Sequence, residues 1–120
     1  MTPKRGDDAA PPPIDDEYRI VFATTDAAKG WDDFRQQEPT NLRWAFDQMR
    51  HNPGCCNEPP NGRHSRMKRD LATGTRNGRT LPQWQLEVTS SGRIWYLCDD
   101  VEKTCWIQEA GRAHPKKTEG

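Results

Sequence analysis

The sequence predicts an α+β fold, a small antiparallel β-sheet with an N-terminal strand and an αα-hairpin packed on one face. Three observations predict it. A β-prone run, YRIVFA, occupies residues 18–23, two successive segments then carry apolar residues at helical spacing, and three β-prone runs follow between Trp84 and Ala110.

Residues 18–23 are rich in aromatic and β-branched side chains and read as the opening strand. Asp26 is a helix-capping residue, and Ala27, Trp31 and Phe34 recur at i, i+4 and i+7 before Pro39 interrupts. Gly30 weakens that helix slightly. Thr40 caps a second helix, in which Leu42, Ala45, Phe46 and Met49 recur at helical spacing until His51, Asn52, Pro53 and Gly54 stop it. Residues 54–62 are turn-forming, and residues 64–71 read as a strongly basic strand. Residues 84–88, 93–99 and 104–110 then form an antiparallel meander, joined by Thr89-Ser90-Ser91-Gly92 and by an acidic turn at 100–103.

With four-residue loops at both turns, Val88 faces Arg93 and Asp99 faces Thr104. Alternation then gathers Trp84, Leu86, Val88, Trp95, Leu97 and Trp106, with Arg93 at its end, on an apolar face for the helices to cover. Gln85, Glu87, Ile94, Tyr96, Cys98, Cys105 and Ile107 fall on the other, mixed face. A slip of one residue swaps the assignments.

The 120 residues carry 18 basic and 18 acidic side chains, a net charge of zero, with 32% apolar residues and a mean hydropathy of −1.12. That length supports one domain with a modest core. The apolar runs are far too short to cross a bilayer, and the N-terminus lacks the apolar stretch of a secretory signal, so the expected location is cytoplasmic. Residues 1–17 hold two basic against five acidic side chains together with Pro3, Pro11, Pro12 and Pro13, and read as a disordered acidic tail preceding a single domain over 18–120. Residues 60–120 hold eleven basic against seven acidic groups. Arg63, Arg66, Lys68, Arg69, Arg76 and Arg79 face only Asp70 between positions 62 and 79, a patch that suits a polyanion or serves as a solvated loop.

Cys55, Cys56, Cys98 and Cys105 are expected to be reduced thiols, with Cys98 and Cys105 facing each other across the meander. His51, Cys55, Cys56 and His64 lack the CxxC spacing of a zinc site, so no metal is expected. Gly74-Thr75-Arg76-Asn77-Gly78 lacks the GK[ST] pattern of a phosphate loop and reads as a turn.

The order of strand, αα-hairpin, basic strand and meander resembles the RelE/ParE superfamily of type II toxin-antitoxin toxins over residues 18–119. The resemblance rests on WQLEVTSSGRIWYLCDD followed by CWIQEAGRAHPKKTE, and on KGWDDF followed by the Leu42-to-Met49 helix with its Asn-Pro stop. It implies a toxin held silent by a cognate antitoxin in a hetero-oligomer. In the RelE-like branch the implied activity is ribosome-dependent cleavage of mRNA, a metal-independent and cofactor-free endoribonuclease that inhibits translation. In the ParE-like branch it is inhibition of DNA gyrase. A non-catalytic, antitoxin-binding member of the fold is the third reading, since fold does not choose function.

Metal-independent RNA cleavage needs a base for the 2′-hydroxyl, cations for the phosphorane and an acid for the leaving oxygen. Arg93 stands where the RelE-like branch places a strand arginine after its Ser-Gly turn, suited to bidentate phosphate binding or, alternatively, to closing a hairpin with Glu87. His114 lies where related toxins carry a His or Tyr for proton transfer or stacking, and it equally fits an exposed tail. Lys68, Arg69 and Arg66 on the basic strand, with Arg112, Lys116 and Lys117 near the C-terminus, are the candidate RNA-backbone contacts. Tyr96 is suited to stacking on a base or to filling the mixed face. The lysines that some RelE-type toxins carry on the strand before the turn are replaced by Gln85 and Glu87; the resemblance makes Glu87 the candidate general base, as carboxylates serve in some relatives, and it equally fits pairing with Arg93 or Lys68 across the sheet.

Overall fold

The computed structural model describes residues 3–9, 11–51, 53 and 63–111. It is an α+β protein whose sheet is mixed. The elements are β1 (Arg19–Phe22), α1 (Thr25–Gln37), α2 (Pro39–His51), β2 (His64–Arg66), β3 (Thr73–Arg76), β4 (Arg79–Glu87), β5 (Arg93–Asp99) and β6 (Thr104–Gly111). The sheet order is β1-β6-β5-β4-β2, with β3 paired to β4 off that path. β1 runs parallel to β6, with Ile20 opposite Cys105, and this corrects the all-antiparallel expectation. A parallel pair needs a long connection, and the helices plus the meander supply it.

Thr24, and not Asp26, caps α1: its Oγ1 accepts from the Ala27 amide at 2.9 Å and donates to the Gln108 carbonyl at 3.0 Å. Only Glu38 separates α1 from α2, and Pro39 opens the second helix, where its missing N–H costs nothing. Gly30 sits in α1 for a steric reason, because a Cβ there would lie 1.7 Å from the Ala110 carbonyl oxygen of β6. Among the described residues no helix is long and apolar enough to cross a membrane.

The expected basic strand over 64–71 is only three residues long. Beyond Arg66 the chain turns through a single 3₁₀ turn at Arg69–Leu71, with Arg69 at φ 57°. The segment read as a simple turn is instead a β3–β4 ribbon, reversed by Asn77 (φ 54°) and Gly78 (φ 77°), the left-handed pair that a tight hairpin requires.

The β4–β5 register differs from the expectation by one residue: Glu87, not Val88, faces Arg93. The Val88 amide donates to the Gly92 carbonyl at 2.9 Å, so the loop is one residue shorter than assumed. Asp99 does face Thr104. The slip moves Ile94, Tyr96, Cys98, Cys105 and Ile107 onto the helix side with Trp84, Leu86 and Val88. There they pack with Phe22, Trp31, Phe34, Leu42, Ala45 and Met49 as one core. Trp95, Leu97 and Trp106 move to the opposite face, where Gly74 of the ribbon lies over Leu97 and the Arg76 guanidinium stacks 4.3 Å from the Trp106 ring centroid. A bulge at Gln108 separates the pairs Tyr96–Ile107 and Trp95–Glu109.

The acidic N-terminal segment, expected to be disordered, runs antiparallel along the outer side of β1. Gly6 and Ala9 donate to the carbonyls of Phe22 and Ile20, and Phe22 donates to Asp7.

Candidate functional site

The structure brings Glu87 and Arg93 together at one end of the sheet. They are direct cross-strand partners, with Arg93 Nη2 3.8 Å from Glu87 Oε2 and about a quarter to a third of each side chain exposed (26% and 35%). Arg93 Nη1 donates toward the carbonyls of Thr89, Ser90 and Gly92 at 3.2–3.4 Å, which fixes one edge of the guanidinium against the hairpin. The geometry is that of the hairpin-closing reading: Arg93 holds the turn through Nη1 while Nη2 lies beside the Glu87 carboxylate.

Two rows of side chains cross the face turned away from the helices. Ser65, Gln85, Trp95 and Glu109 are successive register partners across β2, β4, β5 and β6, and Glu87 with Arg93 forms the adjoining row. Trp95 Nε1 donates to Gln85 Oε1 at 2.8 Å, so a buried indole carries a polar tether at its edge. Arg63 completes this end. Its Nη2 donates to the carbonyls of Glu87 and Val88, and its guanidinium stacks 4.0 Å from the Trp44 ring centroid. Arg63 was visible in the sequence only as part of the basic patch, because its place beside Glu87 follows from strand pairing.

The other cations of the patch divide by engagement. Arg66 donates to the Ala72 carbonyl at 3.0 Å, and Arg79 pairs with the buried Asp99 carboxylate at 2.5 Å. Lys68 and Arg69 are exposed and form no ion pair among the described residues, and they lie on the 3₁₀ turn and its approach rather than on a strand. Among the described residues the patch therefore offers two cations outside any ion pair next to four whose guanidinium groups already meet protein.

Tyr96 is not available for base stacking. It is fully buried, its hydroxyl donates to the Pro53 carbonyl, and His64 Nε2 lies 2.5 Å from that hydroxyl oxygen. With the tyrosine proton directed at Pro53, Nε2–H of a neutral imidazole is the donor to Tyr96, and Nδ1 is left without a partner among the described residues. Burial pushes the His64 pKa down to about 4, only partly opposed by the Pro53 carbonyl, and the ring packs edge-on against Trp84. Nothing in the sequence marked His64 as an interior residue, since it stands between Arg63 and Ser65 within the basic segment.

His114, Arg112, Lys116 and Lys117 lie outside the described residues, as do Cys55 and Cys56. No protein-family model, no curated protein and no solved structure matches the chain.

Proposed function

We propose that the chain is a RelE-like toxin, a ribosome-dependent mRNA endoribonuclease that inhibits translation and is neutralised by a cognate antitoxin. The observation that carries this reading is the Glu87–Arg93 pair, a carboxylate and a guanidinium in register on the sheet face free of helices. The exposed cations Lys68 and Arg69 follow farther along β4, past the Met67–Gln83 hydrogen bond. The element order of strand, αα-hairpin and meander supports it as well.

In this reading the RNA phosphate enters between the two side chains. Arg93, anchored through Nη1, turns Nη2 from Glu87 to the phosphate and balances the charge of the phosphorane. Glu87, released from the pair, accepts the 2′-hydroxyl proton, and the new 2′-oxygen–phosphorus bond displaces the 5′-oxygen. His114 is the proposed donor to that leaving oxygen. Lys68, Arg69 and Arg66 contact the RNA backbone through charge.

The test is induced expression in a bacterial host with primer extension on a reporter mRNA, comparing wild type, Arg93→Ala, Glu87→Gln and His114→Ala. Codon-phased cuts that vanish in Arg93→Ala and Glu87→Gln support the proposal. Growth arrest with intact mRNA overturns it in favour of a ParE-like gyrase inhibitor. The second reading, a non-catalytic antitoxin-binding member, draws on the three hairpin carbonyls already held by Arg93. It predicts no arrest at all and an Arg93→Ala variant altered only in stability.

A further inference from the structure

We infer that the N-terminal segment is an exchangeable strap, and that the β1 edge beneath it is a docking site for an extended acidic segment of a partner protein. This stands apart from the nuclease reading.

Three observations carry it. The strap is bound as a strand would be: Gly6, Asp7 and Ala9 exchange backbone hydrogen bonds with Ile20 and Phe22 at 2.8–3.1 Å along the side of β1 that does not face β6. It is also held by charge, since the Asp8 carboxylate receives Arg19 Nε and Nη2 at 2.9–3.1 Å on an exposed edge. The buried Arg50 guanidinium then takes the Pro11 carbonyl at 2.8 Å and approaches Glu17 at 3.5 Å.

The third observation is that the strap fills its seat poorly. A cavity of about 700 Å³ remains between the strap's Pro11 and Pro12 and the helix floor of Trp31, Leu42 and Phe46. The strap side contributes Ala9, the prolines and Ile14, and the helix side adds the charged Arg35, Arg43 and Asp47 around its apolar floor. A partner segment that keeps the extended backbone and one carboxylate for Arg19, but carries a bulky apolar residue where the strap has Pro12, makes the same polar contacts and fills the void as well. The strap is the weaker occupant of its own site, favoured only because it is tethered, at an effective concentration in the millimolar range.

The experiment uses the full chain, isotope-labelled for amide exchange, with two synthetic peptides: residues 3–13, PKRGDDAAPPP, and the same peptide with Phe in place of Pro12. Asp8→Lys sets like charges against Arg19 and lifts the strap. The Phe22 amide should then exchange about tenfold faster while β4 and β5 amides are unchanged. The first peptide should bind Asp8→Lys about tenfold more tightly than wild type, and the Phe peptide more tightly again, with shifts confined to β1 and the α1–α2 groove. Gly6→Pro, which removes the strap's donor to Phe22 without altering any charge, should reproduce the faster exchange. Adding Arg19→Glu to Asp8→Lys should re-seat the strap, protect Phe22 again and abolish binding of both peptides, whose Asp8 carboxylate then meets Glu in place of Arg19. Unchanged Phe22 exchange in both single variants, equal peptide affinity for wild type and Asp8→Lys, or peptide shifts elsewhere in the sheet would each overturn the inference.

Discussion

The two faces of the sheet use the same alternation of side chains to opposite ends. On the helix side Ile94, Tyr96, Cys98 and Ile107 are enclosed, and the polar groups admitted there, the Tyr96 hydroxyl and the His64 imidazole, are neutral and bonded to each other and to Pro53. On the far side Glu87 and Arg93 keep their charges, and they and the neutral Gln85 keep part of their exposure. Burial without charge gives rigidity, whereas charge at a half-exposed register pair gives a site able to exchange partners. One residue of register decides which side chain has which fate.

The contrast can be broken most severely on the enclosed side. Trp84→Ala should cost about 3–5 kcal/mol by leaving a large cavity under the helices, against roughly 1–2 kcal/mol for Trp106→Ala on the far side, measured by chemical denaturation. A smaller cost on the helix side would mean that the core lies elsewhere.

Acid comes next. Folding holds His64 neutral with its pKa near 4, whereas the unfolded chain binds that proton at its ordinary value of 6.5. The stability His64 contributes is therefore complete above about pH 6.5 and is lost as the pH falls toward 4, up to roughly 3 kcal/mol in all. His64→Phe should flatten denaturation midpoints over that range, and a wild-type profile already flat there would contradict the buried neutral imidazole.

Tyr96→Phe sharpens the same point. It leaves the His64 donor and the Pro53 carbonyl without the hydroxyl they share, a loss of about 1–3 kcal/mol with no direct effect on RNA cleavage. On the open side the balance reverses: Glu87→Gln should change stability by less than about 1 kcal/mol, since the partly exposed pair contributes little, while removing the proposed cleavage. Arg69→Ala, at the smallest end, should leave stability within about 0.5 kcal/mol and weaken only the salt-dependent part of RNA binding.

Much of this was legible beforehand. The apolar spacing of Ala27, Trp31 and Phe34, and of Leu42, Ala45 and Met49, is dictated by helix geometry alone, and these residues are buried in α1 and α2. The three meander strands were legible for a similar reason. Register was not, because a hairpin loop shorter by one residue leaves composition and periodicity unchanged while exchanging Tyr96 for Trp95 on the core side. The parallel β1–β6 pair and the bulge at Gln108 depend on contacts between distant segments, which no local pattern encodes. The turn at Asn77-Gly78 was legible, but the β3–β4 ribbon it joins was not, because β3 is held by its pairing with β4 and by its seat over the far face. At the candidate site the proximity of Glu87 and Arg93 was legible from the short loop between them. The approach of Arg63 came only with β2 pairing.

The parallel β1–β6 pair also sets an order of assembly. The meander joins neighbours in sequence and can form early, but β1, the first strand to be synthesised, has its sheet partner in the last strand described, and α1 lies against that strand as well. The helices therefore lack their floor until β6 arrives, and closure of long-range pairs is the slow step in folds of this kind. A nascent chain shorter than β6 leaves the β6-facing edge of β1 unpaired, while its strap, synthesised earlier still, can already pair with the opposite edge.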